Sequence, residues 1–231
     1  SYDRGPAEAV ADAFPDYRPV VPVVGGPGVA HDAAAYYPGW DYGAAEDIEG
    51  LLARYPTDLL AAFGAGSLGD AVDAAAGFDA DKHANRVDGG VEASQTHQRA
   101  VLRTVAEVSR SRNLDAVASA LRDTDGAGMG VYAADGSPKL AQEALATAYQ
   151  PIQVFLTKRS GDSAEITVVN DGPSPVSGTV RWDAGGDGGL TDVTVDAGDR
   201  WVGTVSLPAE ADAVTLALET DSGVAENHYE F

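Results

Sequence analysis

The sequence predicts two domains, an α/β unit followed by an antiparallel β-sandwich of immunoglobulin-like type. The first observation is that short apolar runs alternate with helical patterns up to about residue 149, as they do in α/β folds. The second is that apolar and polar residues alternate with period two after Pro151, in short segments separated by turn clusters. We therefore assign residues 1–149 to the first domain and residues 150–231 to the second.

The first domain contains strand and helix candidates in alternation. Residues 19–24 form an apolar run that ends at a pair of glycines, which is typical of a buried parallel strand. Two further strands are predicted at residues 59–63 and 129–132. Helices are predicted where apolar residues recur at helical spacing, at residues 47–55, 98–109, 114–121 and 138–148.

The second domain contains six or seven short strands. The alternating segments are residues 152–156, 164–169, 178–182, 190–195, 201–205 and 214–218. Clusters of Gly, Asn and Asp at residues 170–173 and 185–189 mark turns between them. Short strands at this spacing over about 80 residues favour a sandwich of two antiparallel sheets.

The chain is strongly acidic. Asp and Glu number 36 and Lys and Arg number 15 in 231 residues, so the formal net charge is -21. Such a charge repels nucleic acid and anionic membranes, and we expect neither as a partner. The acidic residues are spread along the chain, which is typical of a protein from a very salty cytoplasm. An ordinary acidic mesophilic protein is the alternative.

Several classes of site and segment are not expected. The absence of cysteine excludes disulfides, thiolate metal sites and a cysteine nucleophile. No apolar run reaches the roughly 18 to 20 residues of a membrane span, and the first residues do not resemble a signal peptide. The simplest expectation is a soluble, cytoplasmic protein.

Two glycine-rich segments resemble ligand loops without their context. Residues 126–130 resemble a phosphate-binding loop, but they precede a predicted strand instead of joining a strand to a helix. Residues 183–189 contain oxygen ligands and glycines but lack the spacing and the closing glutamate of an EF-hand, so a hairpin turn is the better interpretation. We therefore expect no cofactor and no metal.

Seven separated segments carry motifs that occur together in one enzyme family. They are residues 32–40 (DAAAYYPGW), 59–68 (LLAAFGAGSL), 95–112, 129–139, 149–152, 168–171 and 226–229. In this order they resemble the C-terminal portion of family 2 glycoside hydrolases, and of β-mannosidases in particular. The resemblance implies that residues 1–149 are the second half of a TIM-type (β/α)8 barrel and that the sandwich is an accessory domain.

The resemblance also implies that the usual chemistry is missing. Residues 59–68 resemble the family's Ser-Glu-Phe-Gly-Ala motif, in which the glutamate is the catalytic nucleophile, and Ala62 stands at that position. Retaining hydrolysis needs two carboxyl groups about 5 to 5.5 Å apart. The half barrel that bears the family's acid/base glutamate is not in this sequence. In addition, Ala34 replaces a family histidine, and Met129 stands where an aromatic residue is common.

Candidate site residues remain beside the altered motif, although no catalytic residue is assigned. Tyr36 and Trp40 are candidates for stacking on a sugar ring, with Tyr37 beside them, and packing between barrel loops is the favoured alternative. His31 next to Asp32 suggests a general base, but scattered histidines are more often structural. Two further carboxylates, Asp123 and Asp125, could form a new pair.

Three functions stay open. The leading hypothesis is a degenerate, non-catalytic β-mannosidase-like protein that acts as a carbohydrate-binding or assembly module. The second is one subunit of a split glycosidase that hydrolyses β-mannosides or other β-glycosides with a partner, and the third is a purely structural assembly protein. A half barrel has two open sheet edges, so we expect a homo-oligomer or a separate chain that carries the missing half. An engineered Glu→Ala variant is less consistent with Ala34 and with the missing half.

Overall fold

The computed structural model describes residues 4–15, 20–26, 32–37, 48–69, 81, 83 and 85–231. The chain divides into two compact units. Unit 1 comprises Ser1–Ala106 and Leu114–Leu145, and unit 2 comprises Glu107–Asn113 and Ala146–Phe231. The grouping of residues 107–113 with unit 2 is a feature that the sequence pattern did not predict. None of the helices in the described ranges combines the length and the apolarity that a bilayer crossing requires.

The strands of unit 1 are short, and so are all the described helices except one. The helices are α1 (Gly5–Ala11), α2 (Ile48–Arg54), α3 (Val91–Ser111) and α4 (Leu140–Ala148). The strands of unit 1 are β1 (Val24–Gly25), β2 (Ala33–Tyr36), β3 (Leu59–Phe63), β4 (Ser67–Leu68), β5 (Asp115–Ala118) and β6 (Ala127–Gly128). The 21-residue α3 contains the helix predicted at residues 98–109 and begins seven residues earlier.

Four strands of unit 1 form a parallel sheet in the order β1-β2-β3-β5. The order follows the chain, with α2 between β2 and β3 and α3 between β3 and β5. Parallel neighbours need crossover connections, and helices supply those from β2 to β3 and from β3 to β5, as the sequence pattern predicted. The short strands β4 and β6 form a separate antiparallel pair.

Three predicted elements of unit 1 differ from the structure. Of the described residues in the buried strand predicted at 19–24, only Val24 lies in a strand, and Val20, Val21 and Val24 are 38%, 40% and 50% exposed. Residues 114–121 were predicted as a helix, but residues 115–118 form the strand β5, which pairs with β3. Alanine-rich sequence fits a helix by local propensity, and pairing with a neighbouring strand overrides that preference. The strand predicted at residues 129–132 is also absent, because the short strand β6 ends at Gly128 and Tyr132 makes isolated bridges only.

The core of unit 1 lies on the sheet and on α3. The strand residues Tyr36, Leu60 and Phe63 are fully buried. On α3 the residues Val101, Leu102 and Val105 are buried in unit 1, and Val108 is buried in the part of α3 that belongs to unit 2. These four residues form the stripe that the helical spacing predicted. Full burial of a Val, Leu or Phe side chain stabilises the fold by about 1.5 to 3 kcal/mol.

Unit 2 is a sandwich of two antiparallel sheets. Its strands are β7 (Ile152–Ser160), β8 (Ser163–Asn170), β9 (Val176–Ala184), β10 (Asp187–Val195), β11 (Asp199–Ser206), β12 (Ala213–Thr220) and β13 (Gly223–Glu230). One sheet has the order β10-β9-β12-β13 and the other has the order β11-β8-β7. Buried residues of both sheets, among them Val154, Ile166, Val180 and Leu216, form one apolar cluster.

The sandwich differs from the constant-type immunoglobulin arrangement in one strand. In that arrangement the fourth strand lies in the sheet of the first, second and fifth strands. Here the fourth strand, β10, pairs with the third, β9, over nine residues from Asp187↔Ala184 to Val195↔Val176. The long hairpin keeps β10 in the four-stranded sheet. Glycines at positive φ in the turn, Gly185 at 71° and Gly186 at 101°, permit this tight connection.

One arginine ties residues 107–113 to the sandwich within unit 2. The guanidinium of Arg110 donates to Oδ2 of Asp171 from Nε at 3.1 Å and from Nη2 at 2.6 Å. It also donates to the carbonyl groups of Ala148 and Pro151, and its side chain is 6% exposed. A second arginine binds the same carboxylate, since Nη2 of Arg200 lies 2.7 Å from Oδ1 of Asp171. One carboxylate is therefore shared by two arginines.

We expect Arg110→Met to lower the free energy of unfolding by about 2 kcal/mol, mainly because it leaves the buried carbonyl of Ala148 without a donor, with a smaller loss from the ion pair to Asp171, whose side chain is 41% exposed. The matched control is Arg181→Met, whose guanidinium pairs with Glu219 at 2.8 Å on an exposed surface. Exposed pairs contribute less than about 1 kcal/mol. Urea unfolding in molar KCl measures both variants. Equal losses in the two would contradict the structural role of Arg110.

Candidate functional site

The carboxyl ends of three parallel strands bring a group of side chains together. Strands β2, β3 and β5 run in the same direction, so the residues that follow them lie at one edge of the sheet. A Cβ atom added to Gly64, directly after β3, would lie 2.6 Å from Oγ of Ser119, 3.1 Å from Sδ of Met129 and 3.3 Å from Cδ1 of Tyr37. We call Ala62, Gly64, Tyr37, Ser119 and Met129 the strand-end site.

The strand-end site is reachable from solvent and its polar groups are uncharged. Ser119 is exposed, and Tyr37, Ala62 and Met129 are partly exposed. The groups that converge on Gly64 are a phenol ring, a hydroxyl and a thioether. They can contact a sugar ring and exchange hydrogen bonds with its hydroxyls, but none of them is a carboxylate.

Ala62 lies on β3, two residues before Gly64, and pairs with Ala35 of β2. Its methyl group has no nucleophilic atom. The strand beyond it is held in place by the backbone, since the amide of Ser119 donates to the carbonyl of Phe63 at 2.7 Å. The geometry of the strand end therefore does not depend on the side chain at position 62.

A buried glutamine joins the two segments that flank the site. Gln98, on α3, is fully buried. Its Nε2 atom donates to the carbonyl of Ala65 at 2.9 Å and to that of Gly130 at 3.1 Å. Its Oε1 atom accepts a hydrogen bond from Ser67 Oγ at 2.8 Å. Ala65 and Ser67 follow β3 while Gly130 follows Met129, so one side chain connects both walls of the site.

A buried ion pair lies beside this glutamine. The ammonium of Lys139 pairs with the carboxylate of Asp123, and the two side chains are 0% and 1% exposed. Lys139 also donates to Ser67 Oγ at 3.0 Å and to the carbonyl of Gly128 at 3.4 Å. Oδ1 of Asp123 accepts the amide of Gly130 at 2.7 Å. Burial lowers the pKa of Lys139, and the hydrogen bond and charge of Asp123 oppose that change.

Two glycines allow Asp123 to reach this position. A Cβ atom at Gly128 would lie 2.3 Å from Oδ1 of Asp123, and one at Gly130 would lie 2.5 Å from its backbone nitrogen. Neither distance is compatible with a side chain. The glycines of residues 126–130, which resemble a phosphate loop in the sequence, therefore provide space for a carboxylate of the same unit.

The predicted substrate-binding residue Tyr36 is fully buried. Its hydroxyl donates to the carbonyl of Tyr55 at 2.7 Å, and burial raises its pKa, with a smaller contribution from Tyr55. These facts favour the packing alternative, and a role of Tyr36 in substrate binding stays a prediction. Trp40 and His31 lie outside the described residues.

The two candidate carboxylates and Ala34 all lie within the described residues. Asp123 is engaged with Lys139, and Oδ1 of Asp125 accepts the amide of Gly126 at 2.8 Å. The carboxylate of Asp123 is buried and forms an ion pair with Lys139, so it is not available to act with Asp125 as a new catalytic pair. Ala34 is fully buried on β2. Within the described ranges no three His, Asp or Glu side chains are grouped as metal ligands.

Sequence reasoning missed Ser119, Gln98 and Lys139 as parts of the site. Ser119 lies in a segment predicted as a helix, and only the strand pairing of β5 places it at the sheet edge. Lys139 stands between Pro138 and the half-buried helix α4, and no pattern around it indicates that its ammonium group is buried. The partners of Gln98 are more than 30 residues away in the chain, and no local pattern predicts them.

Comparisons with known proteins support the fold only. No protein-family model matches the chain, and no curated protein matches it. Among solved structures, a β-D-mannosidase from Dictyoglomus thermophilum is 17% identical with a TM-score of 0.52, over 61% of this chain and 19% of that one. An exo-chitosanase from Amycolatopsis orientalis is 19% identical with a TM-score of 0.47, over 59% and 18%.

The chain thus spans about one fifth of the length of the solved structures that it resembles. The similarity to the β-mannosidase covers three fifths of the present chain at low identity, which is informative about fold and not about chemistry. Over about three fifths of its length the chain has a fold like that of part of this β-mannosidase.

We expect Lys139→Met to lower the free energy of unfolding by about 3 to 5 kcal/mol, because it leaves the carboxylate of Asp123 buried without a counter-charge. The matched variant is the double substitution Asp123→Asn with Lys139→Met, which removes both charges and keeps an acceptor for Gly130. It should lose less stability than the single variant in urea unfolding. A single variant as stable as the parent chain would show that the ion pair is unimportant.

Proposed function

We propose that this chain is a degenerate, non-catalytic β-mannosidase-like module that binds carbohydrate at the strand-end site. The observation that carries the proposal is the combination at the end of β3. Ala62 supplies a methyl group, while Tyr37, Ser119 and Met129 converge on Gly64 beside it. The site keeps groups suited to contact with a sugar and has no carboxylate among those that converge there.

Hydrolysis would require free carboxylates at the site. Retaining glycosidases use one carboxylate as nucleophile and a second as acid/base, about 5 to 5.5 Å apart. Among the described residues, the network of Gln98 and Lys139 contains the carboxylate of Asp123, which is buried and paired with Lys139. A carboxylate in that state neither attacks an anomeric carbon nor exchanges a proton with a leaving group.

Hydrogen bonds from buried side chains hold both walls of the strand-end site. Gln98 connects the segment that follows β3 with the segment that follows Met129, and Lys139 connects Ser67 with Gly128. Fixed walls reduce the entropy that a site loses when it orders around a ligand. A network of this kind is consistent with a binding site that is formed before the ligand arrives.

The proposal includes half of a TIM-type barrel. A complete barrel of this type has eight parallel strands, with sites at their carboxyl ends. The four parallel strands β1, β2, β3 and β5 equal half of that number, and the strand-end site lies at their carboxyl ends. The alternatives, a subunit of a split glycosidase and a structural assembly protein, differ from this proposal in hydrolysis and in binding.

The test of binding uses manno-oligosaccharides and other β-linked oligosaccharides, titrated by isothermal calorimetry in molar KCl. We expect binding without hydrolysis of an aryl β-mannoside. Ser119→Ala should weaken binding about fivefold, equivalent to ~1 kcal/mol for one lost hydrogen bond. The matched control is Ser177→Ala, which removes an exposed hydroxyl that contacts Thr194 on the sandwich.

The outcomes separate the three hypotheses. Hydrolysis by the chain alone would disprove the non-catalytic role, and hydrolysis only after mixing with a half barrel that bears an acid/base glutamate would favour the split enzyme. The absence of binding across a glycan array in molar salt would favour a structural role. An unchanged affinity in Ser119→Ala would place any binding elsewhere.

We also propose that the chain works in a cytoplasm of high salt, because its net charge of -21 is spread over both units. Salt shortens the Debye length from about 10 Å at 0.1 M to about 3 Å at 1 M, so repulsion among surface carboxylates decreases. The midpoint of thermal unfolding should therefore rise with KCl, most steeply below molar concentration. A midpoint that is independent of KCl in calorimetry would contradict this adaptation.

A further inference from the structure

The single methionine of the 231 residues lies in the strand-end site. The sequence contains one Met and no Cys, so the thioether of Met129 holds the only sulfur atom. Met129 directly follows β6 and is partly exposed. Where no thiol competes, a methionine thioether is the side-chain group that peroxides oxidise most readily. A mild oxidant therefore has one preferred target in this sequence, and that target is part of the site.

The sulfur shares a small space with two groups that are suited to contact with a sugar. A Cβ atom at Gly64 would lie 3.1 Å from Sδ of Met129. The same position is 2.6 Å from Oγ of Ser119 and 3.3 Å from Cδ1 of Tyr37. The sulfur, the hydroxyl and the phenol ring thus converge on one point. An oxygen atom added to the sulfur places a new hydrogen-bond acceptor among these groups.

The backbone on both sides of Met129 is held by buried side chains. The carbonyl of Gly128 accepts a hydrogen bond from Lys139 at 3.4 Å. The carbonyl of Gly130 accepts one from Gln98 at 3.1 Å. Lys139 and Gln98 are both buried. Because these bonds fix the neighbours of residue 129, an oxidised side chain stays at the site instead of being carried away by a shift of the backbone.

We propose that Met129 is a redox switch for carbohydrate binding, in which a hydroperoxide converts its thioether to the sulfoxide and the sulfoxide weakens binding at the strand-end site. This inference rests on the carbohydrate-binding role of the proposed function. With hydrogen peroxide, the sulfur forms a bond to one oxygen while the O–O bond breaks. The sulfur loses two electrons, and the second oxygen leaves with both protons as water.

Oxidation changes the properties that suit Met129 to contact with a sugar. The thioether is apolar and polarisable, so it packs against the C–H groups of a sugar ring. The sulfoxide is polar, and its oxygen accepts hydrogen bonds. Contact with the ring then costs the desolvation of that oxygen, and the oxygen competes with the sugar for the hydroxyl of Ser119. Both effects favour the free site over the occupied one.

The first test compares calorimetric titrations of a manno-oligosaccharide into the chain before and after treatment with hydrogen peroxide, in molar KCl. Mass spectrometry should locate one added oxygen atom at Met129, and binding should weaken about tenfold, equivalent to ~1.4 kcal/mol. Methionine sulfoxide reductases for both epimers, supplied with a dithiol, should restore the affinity. In that step the oxygen leaves as water and the dithiol becomes a disulfide. Circular dichroism verifies that the oxidised chain is folded.

A matched pair of variants separates the polarity of residue 129 from its size. Met129→Leu keeps an apolar side chain that peroxide does not oxidise, so its affinity should be the same before and after treatment, whatever its starting value. Met129→Gln introduces a polar group of similar length and should bind as weakly as the oxidised chain. Comparison of treated and untreated Met129→Leu also controls for peroxide damage at other residues.

A third measurement needs no variant. A bound glycan covers the sulfur, so a saturating concentration of the manno-oligosaccharide should slow the oxidation of Met129 severalfold. Mass spectrometry of samples quenched at successive times measures the rate. The matched control is the same experiment with free methionine in place of the chain, in which the glycan should leave the rate unchanged.

The outcomes distinguish the switch from the proposed function. Equal affinities of the reduced and oxidised chains, an equal loss of affinity in peroxide-treated Met129→Leu, or an oxidation rate that glycan leaves unchanged would each overturn the switch alone. If the oxidised chain unfolds, Met129→Gln decides, since weak binding by this folded variant supports the switch and full affinity overturns it. A reduced chain that binds no glycan disproves the proposed function, and the switch with it.

Discussion

The ammonium group of Lys139 and the carboxylate of Asp123 lie together where neither meets water, and the walls of the strand-end site are arranged around them. Burying two charges is tolerated only when each faces the other and when the remaining donors and acceptors are occupied. Ser67, Gly128 and Gly130 supply those partners through hydroxyl, carbonyl and amide groups. The need to satisfy one buried lysine therefore fixes segments that are more than 50 residues apart in the chain.

The same network shows that the fold around residue 62 does not depend on the side chain at that position. Residue 62 is partly exposed on β3, and none of the hydrogen bonds of Gln98 or Lys139 involves it. The strand end is held by backbone bonds, such as that from Ser119 to Phe63. A methyl group at position 62 leaves these contacts unchanged. The described contacts that hold the strand end are thus made by groups other than the side chain of residue 62.

The two units differed in how far local pattern predicted them. In the sandwich, each strand has one face in the core, so period-two alternation appears directly in the sequence and located most strands to within a few residues. In unit 1, the parallel strands are short and buried among alanines, and β5 resembled a helix because Ala-rich sequence has no period that separates the two. Arg110 illustrates a similar limit. Nothing near it in the chain indicates that Asp171, 61 residues later, completes its ion pair.

By itself, the sequence determined the acidic character of the chain, the change from α/β to all-β pattern near residue 150, and the presence of Ala62 in a segment that resembles a nucleophile motif. These features depend on composition and on neighbours within a few residues. Only the tertiary structure decided that Ser119 and Met129 meet beside Gly64, that Tyr36 is buried, and that Asp123 serves Lys139 instead of a substrate. Those outcomes depend on strand pairing and on the desolvation of charge, which are set by residues distant in the chain and become defined only when the chain is folded.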